Sequence, residues 1–153
     1  MLNMTNAELA SRLKDLRDFL IIAGYEESHA TRYTQIARMI EKMPEPVMQL
    51  RQEGRLTEIP GVGKLVAQYI REILDSGVSS KQKEWEEQAP ITVLELVRIP
   101  GLGAKTARKL FQEYGIDSFA KLQEADRSEV LKEVQGVGPK LIQAIRAHQP
   151  SSE

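Results

Sequence analysis

Three short stretches decide how this chain folds: Ile59-Pro60-Gly61-Val62-Gly63-Lys64, Ile99-Pro100-Gly101-Leu102-Gly103-Ala104-Lys105 and Val134-Gln135-Gly136-Val137-Gly138-Pro139-Lys140. In each, an aliphatic residue ends a short helical turn, a Gly-aliphatic-Gly unit follows, and an amphipathic run begins. The runs cover 65–74, 106–111 and 141–145. A repeat of this kind defines a fold better than any single helix does. Two glycines around one aliphatic residue make a tight hairpin, where φ can turn positive and side-chain bulk is absent. The aliphatic residue points inward, and the second glycine sits where the next helix begins.

The first amides of a helix have no intrahelical partner, and the helix dipole is positive at that end. A phosphate can therefore approach closely over a glycine. Lys64, Lys105 and Lys140 follow within two residues and add charge without demanding a particular base. The candidate phosphate-binding residues are Gly61, Gly63 and Lys64 in the first hairpin, and Gly101, Gly103, Lys105 and Thr106 in the second. Gly136, Gly138 and Lys140 complete the set in the third. One isolated Gly-x-Gly is as readily a plain helix connection with solvated lysines; three copies with the same placement favour phosphate. Neither a Gly-x-x-x-x-Gly-Lys-Ser/Thr loop nor a strand-borne Gly-x-Gly-x-x-Gly is present, which makes the nucleotide-fold readings poor ones.

Outward from the hairpins, periodicity favours helix almost everywhere. Leucines at 9, 13, 16 and 20 predict an amphipathic helix over 5–23, with Thr5 and Glu8 as a capping box. A second helix is expected over 28–43, turning Tyr33, Ile36, Ala37 and Ile40 inward and stopping before Pro44. A third ends at Gly54. The segment 79–88 is a polar helix with Trp85 as its buried anchor, while Met39, Met43 and Met48 fill core gaps. Thr92 with Glu95, and Asp126 with Glu129, have the spacing of two further caps. No sustained β pattern occurs, so the expected fold class is all-α, built around tandem helix-hairpin-helix units. A boundary is expected at Ala89-Pro90, giving one module over 1–88, a second with two hairpins over 89–148, and a disordered tail over 149–153.

The chain has 153 residues, 41% of them hydrophobic, enough for one compact domain or two small ones. With 21 basic and 22 acidic residues the formal net charge is −1, so no whole-molecule field attracts a polyanion. Charge is patterned locally instead: residues 96–113 carry a net +3 and residues 73–95 a net −3. A Debye length of about 8 Å lets such patches act separately. There is no cysteine, which removes disulfides, zinc fingers and thiol nucleophiles, and His29 and His148 are too far apart in sequence to suggest a metal site. The apolar stretch 19–23 is too short to span a bilayer, and a cytoplasmic protein is the default expectation.

Ile59-Pro-Gly-Val-Gly-Lys and Ile99-Pro-Gly-Leu-Gly-Ala-Lys resemble the helix-hairpin-helix motifs of DNA-binding proteins. The order of segments is more specific. The amphipathic start, 33–44, the first hairpin, Leu74-Asp-Ser-Gly, the 96–115 block and Ile116-Asp-Ser-Phe-Ala-Lys-Leu resemble the amino-terminal region of family X DNA polymerases, bacterial members and polymerase beta alike. The third hairpin resembles the degenerate one that follows in bacterial members, which extends the match to about residue 148.

The resemblance implies binding of gapped DNA at its 5′-phosphate, with His29 and Tyr33 beside the phosphate pocket. Tyr33 is equally placed to be core, and His29 to be a solvated side chain. In some family members a lysine removes 5′-deoxyribose phosphate through a Schiff base. The matching position here is Tyr69, whose phenol cannot form an imine; the family's phosphate-binding lysine falls on Leu65 and a neighbouring glutamate on Gln68. Lys64 is the nearby lysine for a non-standard lyase. The resemblance further implies K⁺ or Na⁺ held between a DNA phosphate and hairpin carbonyls: those of Thr57, Ile59 and Val62, of Val97, Ile99 and Leu102, and of Lys132, Val134 and Val137. Polymerase chemistry needs clustered carboxylates for two metal ions, whereas Asp15, Asp18, Asp75, Asp117 and Asp126 are scattered on helices and caps. The expected function is a sequence-nonspecific DNA-binding module for gapped, nicked or branched DNA in repair or recombination, with a separate catalytic protein as a further partner. The alternatives are a lyase and a protein-interaction module.

Overall fold

A computed structural model describes residues 3–150; the last three residues of the expected tail, 151–153, lie outside them. Among the described residues, nine α-helices and three short 3₁₀ turns make up the regular structure, and there is no strand. The fold is all-α. The chain divides into two compact units, one formed by 3–20 and Glu26–Trp85, the other by Ile21–Tyr25 and 86–150.

The first unit begins with α1 (Asn6–Ala23), whose start follows from side-chain chemistry. The Glu8 N–H donates to the Thr5 hydroxyl oxygen at 3.1 Å, and that hydroxyl donates to the Glu8 carboxylate at 3.1 Å. Leu9, Leu13, Leu16 and Leu20 are buried as their spacing predicts. Buried in the same unit are Tyr33, Ile36, Ala37 and Ile40 of α2 (Glu27–Lys42) and Ile70 and Leu74 of α4 (Lys64–Ser76). Between α2 and α4 lies α3 (Val47–Gln52), followed by the left-handed stop residue Gly54 at φ +68°. Asn6 fixes this corner. Its amide oxygen accepts from the Val47 N–H at 2.7 Å, and its amide nitrogen donates to the carbonyls of Glu45 at 2.9 Å and Met43 at 3.4 Å. Val47 thus gains an N-terminal partner that its own flank, Pro46, cannot supply.

The unit closes with α5 (Ser80–Trp85), shorter than expected and with no buried residue. Trp85 is half-buried, not the buried anchor its type suggested. The buried group at this turn is Ser79, 1% exposed, whose hydroxyl accepts from the Gln82 N–H at 3.1 Å and caps the helix. Met39 is exposed, and Met43 and Met48 are half-buried, so these three do not fill core gaps.

In the second unit a 3₁₀ turn (Ile91–Val93) runs into α6 (Leu94–Val97), followed by α7 (Ala104–Tyr114), α8 (Phe119–Arg127), a 3₁₀ turn (Val130–Glu133) and α9 (Pro139–Ala147). Val93, Leu96, Leu110, Leu122 and Leu131 form its centre, together with Ile21 and Ile22. The Gln112 side-chain amide donates to the Ile22 carbonyl at 2.9 Å, satisfying a carbonyl at the end of α1.

Both cap patterns expected here serve other purposes. Val93 already has helical dihedrals, so no extended residue is available to cap α6. Glu95 instead accepts from the Phe119 N–H at 2.9 Å and caps α8, where the Ser118 hydroxyl accepts from the Lys121 N–H at 3.2 Å. Asp126 lies within α8 and takes a two-pronged grip from Arg146 of α9, at 2.8 and 2.9 Å. Glu129 is the one non-glycine residue with positive φ among the described residues, at +65°.

Two outcomes follow from these clamps. Asn6→Ala removes three hydrogen bonds and is expected to destabilise the first unit by about 1–2 kcal/mol in chemical denaturation. The hydrogen bonds from Arg146 hold the Asp126 carboxyl below the usual aspartate range, so its stabilisation is complete above the unfolded-state pKa and lost as pH falls through the folded one. Asp126→Asn is expected to lower stability at neutral pH and to flatten its decline below about pH 4, measured by urea titration across pH.

Candidate nucleic-acid interface

The three hairpins share one backbone construction. The N–H of Val62 donates to the carbonyl of Ile59 at 3.0 Å, Leu102 to Ile99 at 3.0 Å, and Val137 to Val134 at 3.1 Å. Each bond closes a four-residue turn whose third residue is glycine, with φ +88° at Gly61, +88° at Gly101 and +98° at Gly136. That is the type II pattern, which disfavours any Cβ at this place. Proline precedes glycine in the first two turns and Gln135 in the third. Val62, Leu102 and Val137 are buried and anchor the turns.

The second glycines differ in kind. Gly63, Gly103 and Gly138 have φ between −90° and −100° with extended ψ, and each is the N-cap of its helix with no side-chain cap. A Cβ built on any of the three meets nothing within 4 Å. These glycines are not required by backbone strain or by packing. What they provide is open access to the first turn of α4, α7 and α9, where only the third helix, with Pro139 at its first position, lacks one amide donor.

The lysines sit at this end of each helix, and all three are exposed. Lys105 and Lys140 occupy the second helical position; Lys64 occupies the first. The second position of α4 belongs to Leu65, which is 57% exposed. Thr106, next to Lys105, is half-buried. Within the second unit the structure brings two hairpins together: Pro100, Gly101, Gly136, Gly138, Lys140 and Leu141 line an open cleft of about 500 Å³, floored by Ala144. A Cβ on Gly101 would lie 3.9 Å from Leu141 Cδ1. The first hairpin belongs to the first unit, where a Cβ on Gly61 would press on Ile36 at 3.4 Å.

Other residues singled out in the sequence fall as follows. His29 is exposed on α2, whereas Tyr33, one turn on, is 2% exposed and part of the first unit's core. Tyr69 is buried on the inner face of α4, and Gln68 is exposed beside it. Arg55, just before the first hairpin, was not anticipated as a centre of charge. Its guanidinium is shared among Glu58, Glu53 and Glu45, which raise its pKa, while its hydrogen bond lowers that of Glu53. Its charge is therefore spent on carboxylates. No cluster of three or more His, Cys, Asp or Glu side chains suited to a metal ion occurs among the described residues, and none of their helices is long and apolar enough to cross a membrane.

Comparison with known proteins agrees with this geometry. Residues 4–79 match a helix-hairpin-helix domain, and residues 93–148 match a SAM-like helix-hairpin-helix tandem. The chain is 31% identical over 85 residues to the DNA polymerase/3'-5' exonuclease PolX of Bacillus subtilis, covering 56% of this chain and 15% of that protein. It is 26% identical over 129 residues to DNA polymerase lambda of Arabidopsis thaliana, covering 84% of this chain and 23% of that protein. The chain thus spans less than a quarter of the length of either relative.

The two classes of glycine separate folding from access. Gly101→Ala, at positive φ, is expected to cost about 1–2 kcal/mol of stability. Gly103→Ala, in an extended conformation with free space around it, is expected to stay within about 1 kcal/mol of the parent, because a poorer N-cap offsets reduced unfolded-state entropy. Paired urea titrations of the two variants check this.

Proposed function

Because the chain is a helix-hairpin-helix protein resembling the amino-terminal region of family X DNA polymerases, we propose that it grips the sugar-phosphate backbone of DNA without reading base sequence, at gaps, nicks or branches. One observation carries this reading: a positive-φ glycine turn, a bare extended glycine at the N-cap and a lysine in the first two helical positions recur three times. Backbone amides and lysines aimed at one place recognise phosphate and carry no base information. Interrupted or branched DNA bends easily at the lesion, which lets its backbone reach several hairpins at a lower deformation cost than intact duplex.

The hairpin carbonyls also suit a monovalent cation. Those of Thr57, Ile59 and Val62, and of Val97, Ile99 and Leu102, are neutral oxygen donors; Ile59 and Ile99 already accept one turn hydrogen bond each and keep a second lone pair. K⁺ or Na⁺ there would add positive charge beside a phosphate. The equivalent carbonyls of the third hairpin are those of Lys132, Val134 and Val137.

Binding rather than lyase chemistry is the function proposed. Tyr69 holds the position of the Schiff-base lysine, and its buried phenol has no amine to offer. A separate catalytic protein is proposed as a further partner.

Fluorescence anisotropy on gapped, nicked, branched, single-stranded and intact DNA tests the proposal. Affinity is expected to fall by roughly one logarithmic unit per decade of salt for each phosphate neutralised. Lys105→Ala is expected to weaken every DNA shape alike and to reduce the salt slope by about 1. Salt-independent affinity, or strict preference for one duplex sequence, overturns the proposal. Borohydride trapping on an abasic gapped substrate is expected to give no covalent adduct; an adduct lost in Lys64→Ala establishes the lyase instead.

A further inference from the structure

The three hairpins superimpose in construction but not in what they present. Each has the same closing hydrogen bond, the same sign of φ at the first glycine and the same extended N-cap glycine. Equivalent helical positions can therefore be compared directly. The second position carries Lys105 in α7 and Lys140 in α9, but Leu65 in α4. Leu65 is 57% exposed, more than Met39, Ile91 or Tyr114, the other exposed large apolar side chains among the described residues. The first hairpin keeps a lysine, yet Lys64 sits one residue earlier, about 100° around the helix axis. Nothing in the folding of α4 explains the leucine: the buried face of that helix is formed by Val66, Ala67, Tyr69, Ile70, Ile73 and Leu74.

We propose that Leu65 makes the first hairpin a reader of strand interruptions, its side chain covering the exposed face of a base at a gap while Lys64 holds the adjoining phosphate. This deepens the DNA-binding reading and rests on it. In an intact duplex the bases are stacked on one another, and a hairpin tip meets mainly phosphate and sugar. There a leucine in the lysine position forfeits an ionic contact and gains little. At a gap the terminal base pair and the unpaired bases show aromatic faces, which apolar side chains cover in many DNA-bending proteins. One replacement thus lowers affinity for continuous DNA and raises it for interrupted DNA. Specificity is that difference. Gln68, one turn along α4, is exposed as well.

The test compares the full chain with its Leu65→Ala, Leu65→Met and Leu65→Lys variants on a gapped duplex and on an uninterrupted circular duplex. Burying an exposed leucine on a base face predicts that Leu65→Ala weakens gapped-DNA binding about three- to ten-fold and leaves circular DNA within about two-fold. Leu65→Met retains the gap preference. Leu65→Lys tightens binding to circular DNA, steepens its salt slope by about 1, and erases the preference. A 2-aminopurine placed next to the gap reports the contact itself, its fluorescence changing with the parent chain and not with Leu65→Ala. A parent chain that binds DNA while Leu65→Ala leaves both substrates unchanged, or weakens both equally, overturns this inference alone. A parent chain that binds no DNA overturns it together with the reading beneath it.

Discussion

Each hairpin depends on a single backbone hydrogen bond, from the amide of the second aliphatic residue to the carbonyl of the first, and on a sign of φ that only glycine adopts cheaply. The bond turns the chain within four residues. The turn drops Val62, Leu102 or Val137 into the core and leaves the next glycine at the surface as the N-cap of a helix. One local constraint therefore fixes two things together, namely where the helix packs and which way its free amides point. The first glycine is needed by the turn; the second is demanded by neither strain nor packing, and it leaves the start of its helix uncovered.

Charge is distributed to match. A formal total of −1 hides a local pattern, a net +3 over residues 96–113 and a net −3 over residues 73–95. Arg55 is engaged by Glu45, Glu53 and Glu58, and Arg146 by Asp126, so neither contributes much field to solvent. The exposed lysines at the helix starts are the charges placed where an anion could meet backbone amides as well. Exposed ion pairs such as Lys14–Glu41, at 2.9 Å, add little to stability, and the packed leucine and isoleucine faces hold each unit together.

The helices and hairpins were legible in the sequence because their signals are local. Leucine spacing in α1, the left-handed glycine after α3 and the three Gly-x-Gly units all act over a few residues, and each lies where the pattern predicts. The failures share a different cause. Thr92 with Glu95 and Asp126 with Glu129 have cap spacing, but caps also depend on dihedral angles, and the carboxylates found partners 24 and 20 residues away. Asn6 reaches 41 residues along the chain to Val47, and no spacing rule announces that. Residue type alone points Trp85 and Met39 to the core, yet Trp85 lies between Glu84 and Glu86 on a helix with no buried residue, and Met39 lies off the buried face of α2 formed by Ala30, Tyr33, Ile36, Ala37 and Ile40. At the candidate site, the sequence located the turns and the lysines. It left unread that two hairpins share one cleft and that the leucine in the third lysine's register is open to solvent.

The two units are not consecutive pieces of chain. Five residues, Ile21–Tyr25, count with the second unit although the segment Glu26–Trp85 of the first unit separates them from the rest of it. Ile21 and Ile22 are fully buried there, and the Ile22 carbonyl is the acceptor for Gln112. A gene fragment cut at the apparent linker would thus express a second unit with a hole in its core and an unsatisfied amide. The boundary that matters for dissecting this protein is drawn in space, and a functional second unit has to carry its borrowed segment with it.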